Sequence, residues 1–126
     1  MKAKYIAGPA VVLGVVAGLA GPAQAAPAAD TTVTIKAMGT DLFGVVKSPR
    51  PHKCADGRTV IVFKQKGARG GGDDVRFASD TASLSGGVYK WSTGNTGTEG
   101  RFYAVVRAKT GCKADSSPTI RAVRNP

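Results

Sequence analysis

From Thr31 onward, apolar and polar side chains alternate with a period of two, punctuated by Gly, Pro, Asp and Asn. Residues 31–37 (TTVTIKA) put Val33, Ile35 and Ala37 on one face and Thr32, Thr34 and Lys36 on the other. β-Branched residues in that rhythm predict a half-buried strand. Residues 42–47 (LFGVVK) predict a second, stopped by Ser48-Pro49-Arg50-Pro51, whose prolines have no amide to give a ladder. Residues 58–65 (RTVIVFKQ) follow an Asp56-Gly57 turn and are the most apolar run after the N-terminal segment, as a central strand requires. Residues 75–78 predict a short strand. In residues 87–92 (GVYKWS), Tyr89 and Trp91 share a face opposite Val88 and Lys90. Residues 100–109 (GRFYAVVRAK) place Phe102, Ala104, Val106 and Ala108 against Tyr103, Val105, Arg107 and Lys109, and residues 119–123 (TIRAV) close the chain.

No ten-residue stretch after the N-terminal segment has a helical period. About seven strands between turn signals predict an all-β domain, a sandwich or small barrel. The expectation is an antiparallel Greek-key β-sandwich, Ig-like or prealbumin-like, burying Trp91, Tyr89, Phe63, Phe102 and Ile35 between its sheets. Between the strands, KGARGGGDD (residues 66–74) is expected to be an exposed, mobile loop, since consecutive glycines are costly to order. SDTASLSGG (residues 79–87) and TGNTGTEG (residues 93–100) are loops by composition.

The N-terminal segment changes the compartment. Lys2 and Lys4 precede an uncharged apolar run, residues 6–20, then Gly21-Pro22 and an A-x-A site at Ala23-Gln24-Ala25. This is the grammar of a secretory signal peptide. The rival reading, an uncleaved anchor, meets a run shorter than the ~20 residues a spanning helix needs. Residues 1–25 are therefore expected to be removed, 26–30 (APAAD) to form a flexible leader, and 31–126 to form the domain. The product is expected to be secreted, with no membrane span. In an oxidising compartment Cys54 and Cys112 predict one disulfide; neither a zinc site nor C-x-x-C redox chemistry has its residues.

Loss of Lys2 and Lys4 lowers the net charge from +10 to about +8. Such a balance fits contact with an anionic surface, but more simply a surface kept soluble by charge of one sign. The candidate interaction residues are Lys64, Lys66 and Arg69 beside the glycine run, and Tyr103, Arg107 and Lys109 on one strand face. A groove of bases with an aromatic platform would suit a polyanion; export argues against nucleic acid.

Catalysis finds little support. Ser79, Asp80, Thr81, Ser83 and Ser85 cluster in sequence, but a serine nucleophile needs a base, and the single histidine, His52, lies in SPRPHKC. Glu99 is the single glutamate, so a facing carboxylate pair is not indicated. Asp73-Asp74 lacks the alternating spacing of a calcium loop. No catalytic residue, metal or cofactor is expected.

Four segments, GVVKS (44–48), CADGRTVIVFK (54–64), ASDTASLSGGVYKW (78–91) and GRFYAVVRAKTGC (100–112), together resemble the bacterial carboxypeptidase regulatory-like, or transthyretin-like (prealbumin-like), β-sandwich. Gly44 and Val46, Val60 and Val62, Thr81, Gly87 and Tyr89, and Gly100, Phe102, Ala104 and Val106 carry the resemblance. It implies a non-catalytic domain, appended to enzymes, placed in cell-surface proteins or secreted alone as an interaction module. With the basic charge, the expectation is a non-enzymatic binding or structural module associated with the cell envelope or an anionic extracellular polymer. The alternatives are an inhibitor presenting a loop to an extracellular enzyme, or a carrier of a small ligand. A partner could also be another secreted protein.

Overall fold

The computed structural model describes residues 27–125; the signal segment lies outside the described residues. The strands are β1 (Thr32–Val33), β2 (Lys36–Met38), β3 (Asp41–Lys47), β4 (Thr59–Gln65), β5 (Val75–Thr81), β6 (Ser83–Ser85), β7 (Val88–Asn95), β8 (Gly100–Val106), β9 (Asp115–Ser116) and β10 (Ile120–Ala122), with one helical turn, α1 (Pro51–Cys54), between β3 and β4. They form two antiparallel sheets. The first has the order β1-β3-β7-β6 with β2 also on β3, the second β10-β8-β4-β5 with β9 also on β8. The chain crosses between sheets after β3, β5 and β7, which is the Greek-key connectivity of an immunoglobulin-like sandwich.

The expected core is largely the observed one. Trp91, Phe102, Leu42, Val46, Val60, Val62 and Val106 are fully buried between the sheets, and Tyr89 and Ile35 are buried beside them. Phe63 is a correction. It points to the outer face of the second sheet, where its ring stacks on Tyr103 at 5.5 Å between centroids. An apolar run of four predicts two covered faces, and here the second cover is this small outer cluster.

Each expected strand has a counterpart. The first is split because the chain at Thr34 turns aside from the ladder: its carbonyl accepts the Trp91 indole N–H at 3.1 Å, and its hydroxyl accepts the Val45 amide at 3.0 Å. The two meet over Gly44, where an added Cβ would stand 2.0 Å from the Thr34 carbonyl oxygen and 2.8 Å from Trp91 Nε1. Only a residue without a side chain permits that approach.

The segment SDTASLS is not a loop. Ser79, Asp80 and Thr81 belong to β5, at the edge of one sheet, and Ser83 to Ser85 form β6, at the edge of the other. Ala82, 1% exposed, is the corner between them; its amide donates to the Arg58 carbonyl and its carbonyl accepts the Gly57 amide, both at 2.9 Å. Edge strands facing solvent need no apolar alternation, so their composition imitates a loop. The turn itself is confined to Gly86-Gly87, with φ of 58° and 83°, the two left-handed positions of a tight hairpin.

Cys54 and Cys112 are joined, with Cα atoms 5.4 Å apart. The leader is also more tied than expected. Ala29 exchanges backbone hydrogen bonds with Gly111 and Lys113, both at 2.9 Å, and Asp30 pairs with Lys113 at 3.1 Å. Among the described residues no helix is long and apolar enough to cross a membrane.

Candidate anion-binding face

The outer face of the second sheet carries most of the predicted interaction residues. On β4, Ile61, Phe63 and Gln65 point outward; on β8, Arg101, Tyr103 and Val105 lie beside them in register. Tyr103 and Arg107 are four residues apart, roughly 13 Å along the strand direction, so the face has two ends with different chemistry.

At the first end, the loop after β4 folds back over the aromatic pair. The Arg69 guanidinium lies 4.0 Å above the Tyr103 ring centroid and donates to Thr119 Oγ1 at 3.1 Å. The Asp74 carboxylate accepts the Tyr103 hydroxyl at 2.5 Å, the Gly70 amide at 3.0 Å and the Lys66 amide at 3.1 Å. The Tyr103 hydroxyl, then the Gly70 amide, hold the Asp74 carboxyl below the usual carboxylate range, and the same bond raises the Tyr103 hydroxyl above its usual value. Residues 66–74 are exposed as composition predicts, yet they are clamped at three points. Tyr103 is consequently a clamp: its ring is covered by Arg69 and Phe63, and it offers no open stacking platform. Lys64 departs from the face altogether, since its register partner is Phe102, an inward residue; its side chain lies over Gly100.

At the second end is a concave groove of about 360 Å³ lined by Arg58, Thr59, Ile61, Arg76, Arg107 and Lys109. Arg107 and Lys109, both expected as interaction residues, are brought together here. Arg76 and Arg58 join them unannounced, one from an edge strand, the other hidden in the run that opens β4. The exposed side chains of Arg76, Arg107 and Lys109 form no ion pair or hydrogen bond with the described residues.

Arg58 sets the character of this groove. It is 3% exposed. Its Nη1 donates to Cys54 O at 2.8 Å and Thr31 Oγ1 at 3.1 Å, and its Nη2 to Arg107 O at 2.6 Å and Lys113 O at 3.2 Å. All four acceptors are neutral, so the charge beneath the groove is solvated but not cancelled. Burial lowers its pKa from the ordinary arginine value, and a guanidinium remains protonated regardless. By gripping the carbonyl of Arg107 and the segment flanking each cysteine, Arg58 also fixes the rim of the groove to the disulfide.

Five of the eight acids are engaged elsewhere. Asp30 pairs with Lys113, the single ion pair among the described residues. Asp74 clamps its loop, Asp80 accepts the Ser92 amide, Glu99 the Arg124 amide and Asp115 the Val33 amide. These five carboxylates act on the fold, and none of them lines the groove.

No protein-family model and no curated protein matches this chain. The resemblance to carboxypeptidase regulatory-like domains therefore rests on its turn and core residues alone.

The remaining candidates are dispersed. His52 Nδ1 lies 3.4 Å from the Tyr89 hydroxyl, and its one side-chain partner among the described residues is that tyrosine. Ser83 and Ser85 stand exposed on β6, and Asp80 is engaged by Ser92. Among the described residues no group of three or more His, Cys, Asp or Glu side chains could hold a metal ion. The inter-sheet space that a ligand carrier would use is filled by Trp91, Phe102 and the core valines.

Proposed function

We propose that the chain is a secreted, non-enzymatic binding domain that holds an anionic extracellular polymer in the groove of Arg58, Arg76, Arg107 and Lys109. The observation that carries this reading is a buried guanidinium with only neutral acceptors, underlying three exposed bases and no acid. A buried cation left without a carboxylate raises the potential at the surface above it, because low-dielectric surroundings screen it poorly. Arginine forks suit the paired oxygens of phosphate and carboxylate groups. The signal grammar and the disulfide support export, and the envelope then provides polymers of that charge.

Binding of the domain to long-chain polyphosphate and to a polycarboxylate, titrated across salt, tests the reading and separates the two chemistries. Affinity is expected to fall linearly with the logarithm of salt concentration. Arg76→Gln/Arg107→Gln/Lys109→Gln is expected to weaken binding at least about tenfold, with a shallower salt slope. Arg121→Gln/Arg124→Gln, away from the groove, serves as the charge control. Equal losses in both variants, or no binding at low salt, would defeat the proposal.

A further inference from the structure

The first sheet has a basic outer face of its own. On β3, Phe43, Val45 and Lys47 point outward, opposite the buried Leu42 and Val46. Lys36 on β2 is the register partner of Phe43, and Lys90 on β7 is the register partner of Val45. Strand spacing therefore sets these lysines on either side of β3, about 10 Å apart, and Lys47 completes a triangle around the two apolar side chains. The cleft they enclose, about 360 Å³, is lined by Lys36, Phe43, Gly44, Val45, Lys47 and Lys90. No acid lines it. The three ammonium groups are exposed, and none is paired within the described residues.

This cleft and the arginine groove lie on opposite sides of the sandwich. Sheets packed face to face stand about 10 Å apart, and outward side chains add several ångströms on each side. The two basic surfaces are thus separated by the whole thickness of the core, beyond a Debye length at physiological ionic strength, about 8 Å. They are separate sites, each facing its own solvent.

We infer that the domain is a cross-linker: the lysine cleft holds a second strand of the same class of anionic polymer, so that one copy joins two strands. This rests on the reading of the arginine groove given above. The chemistry of the two sides differs accordingly. Arginines over a buried cation hold one strand by geometry, whereas lysines on flexible stems hold the other by charge alone. A domain with one site coats a polymer; a domain with two opposed sites gathers it into a network.

Two measurements on the domain from Ala26 onward, whose core and disulfide lie within residues 27–125, decide the matter. Calorimetric titration with tripolyphosphate should give two bound molecules per chain. Lys36→Gln/Lys47→Gln/Lys90→Gln should retain one, and so should the arginine-groove triple variant. Light scattering with long-chain polyphosphate should rise steeply for the unaltered protein. It should stay flat for either triple variant, although each still binds. Circular dichroism of the variants, whose changes are all at exposed positions, verifies their fold. One site per chain in the unaltered protein, removed by the arginine-groove changes, would overturn cross-linking and leave the arginine groove standing. Undiminished scattering in the lysine variant would likewise overturn it. No binding at either site would remove both proposals together.

Discussion

Replacing Arg58 separates its two roles, a structural bolt and a source of charge. In Arg58→Met the stem is kept and the guanidinium is lost, leaving the carbonyls of Cys54, Arg107 and Lys113 and the Thr31 hydroxyl without that donor. A buried acceptor deprived of its partner costs roughly 1–3 kcal/mol. Against this stands relief from burying an uncancelled cation, which is worth several kcal/mol. Taking about 2 kcal/mol for each of the four acceptors gives roughly 8 kcal/mol, and setting about 5 kcal/mol of relief against it leaves a net loss of about 3 kcal/mol. Arg58→Lys keeps the charge but offers one ammonium to four acceptors spread around a planar fork, and should lose about half as much. Urea unfolding followed by the fluorescence of Trp91, the single tryptophan, reads both. Polyphosphate affinity at fixed salt should fall for Met and be largely retained for Lys. A Met variant within about 0.5 kcal/mol of the parent would show that the four contacts contribute nothing net. A Met variant that also bound polyphosphate undiminished would refute the electrostatic role as well.

Gly44→Ala drives a Cβ to 2.0 Å from the Thr34 carbonyl oxygen and breaks the hydrogen bond from Trp91; a loss of about 2–4 kcal/mol in urea unfolding is expected, with a red-shifted tryptophan emission. Replacing both Cys54 and Cys112 by Ala opens a loop of sequence separation 58 and should cost about 4 kcal/mol on the chain-entropy account, while mass spectrometry of the parent should show the linked pair. The depressed pKa of Asp74 means that its clamp stabilises the 66–74 loop above the ordinary carboxylate range and is lost as pH falls through the lowered value. Amide exchange at Lys66 and Gly70 should therefore quicken, relative to intrinsic rates, only below that range, and Asp74→Asn should quicken it at neutral pH.

The central strands were legible because burial on one side writes a period of two into the sequence. Val33 and Ile35, Tyr89 and Trp91, and Phe102, Ala104 and Val106 all fall inward as their alternation indicates. The edges were not legible for the same reason. β5 and β6 face solvent at the side of the sandwich, so selection for polar exposure erased the alternation and left SDTASLS with the composition of a turn. The site was half visible. Arg107 and Lys109 stood out as bases, although β8 ends at Val106 and both lie just past it; Arg76 arrives from a strand 31 positions before Arg107, and nothing local marks Arg58 as buried. The Asp74 clamp was hidden for a related reason: its main partner, Tyr103, is 29 residues away, and a glycine-rich stretch advertises freedom whatever a distant hydroxyl does to it. The tyrosine that composition offered as a stacking platform is covered by that very loop.

The placement of charge bears on whether the basic surface serves solubility or binding. Solubility asks only for a net charge of either sign, and is met with least self-repulsion when that charge is dispersed. Here exposed bases gather in two clefts, one of them above an arginine buried without a counter-charge. Neither cleft has a carboxylate among its lining residues. Asp115, Asp80, Glu99 and Asp74 instead hold Val33, Ser92, Arg124 and the 66–74 loop. Uncancelled bases on both broad faces support the proposed binding of an external counter-charge more than a role in solubility alone. The second face then matters more than the first, because one basic groove fits many binding domains, whereas two opposed ones predict a change in the polymer's assembly that scattering can see.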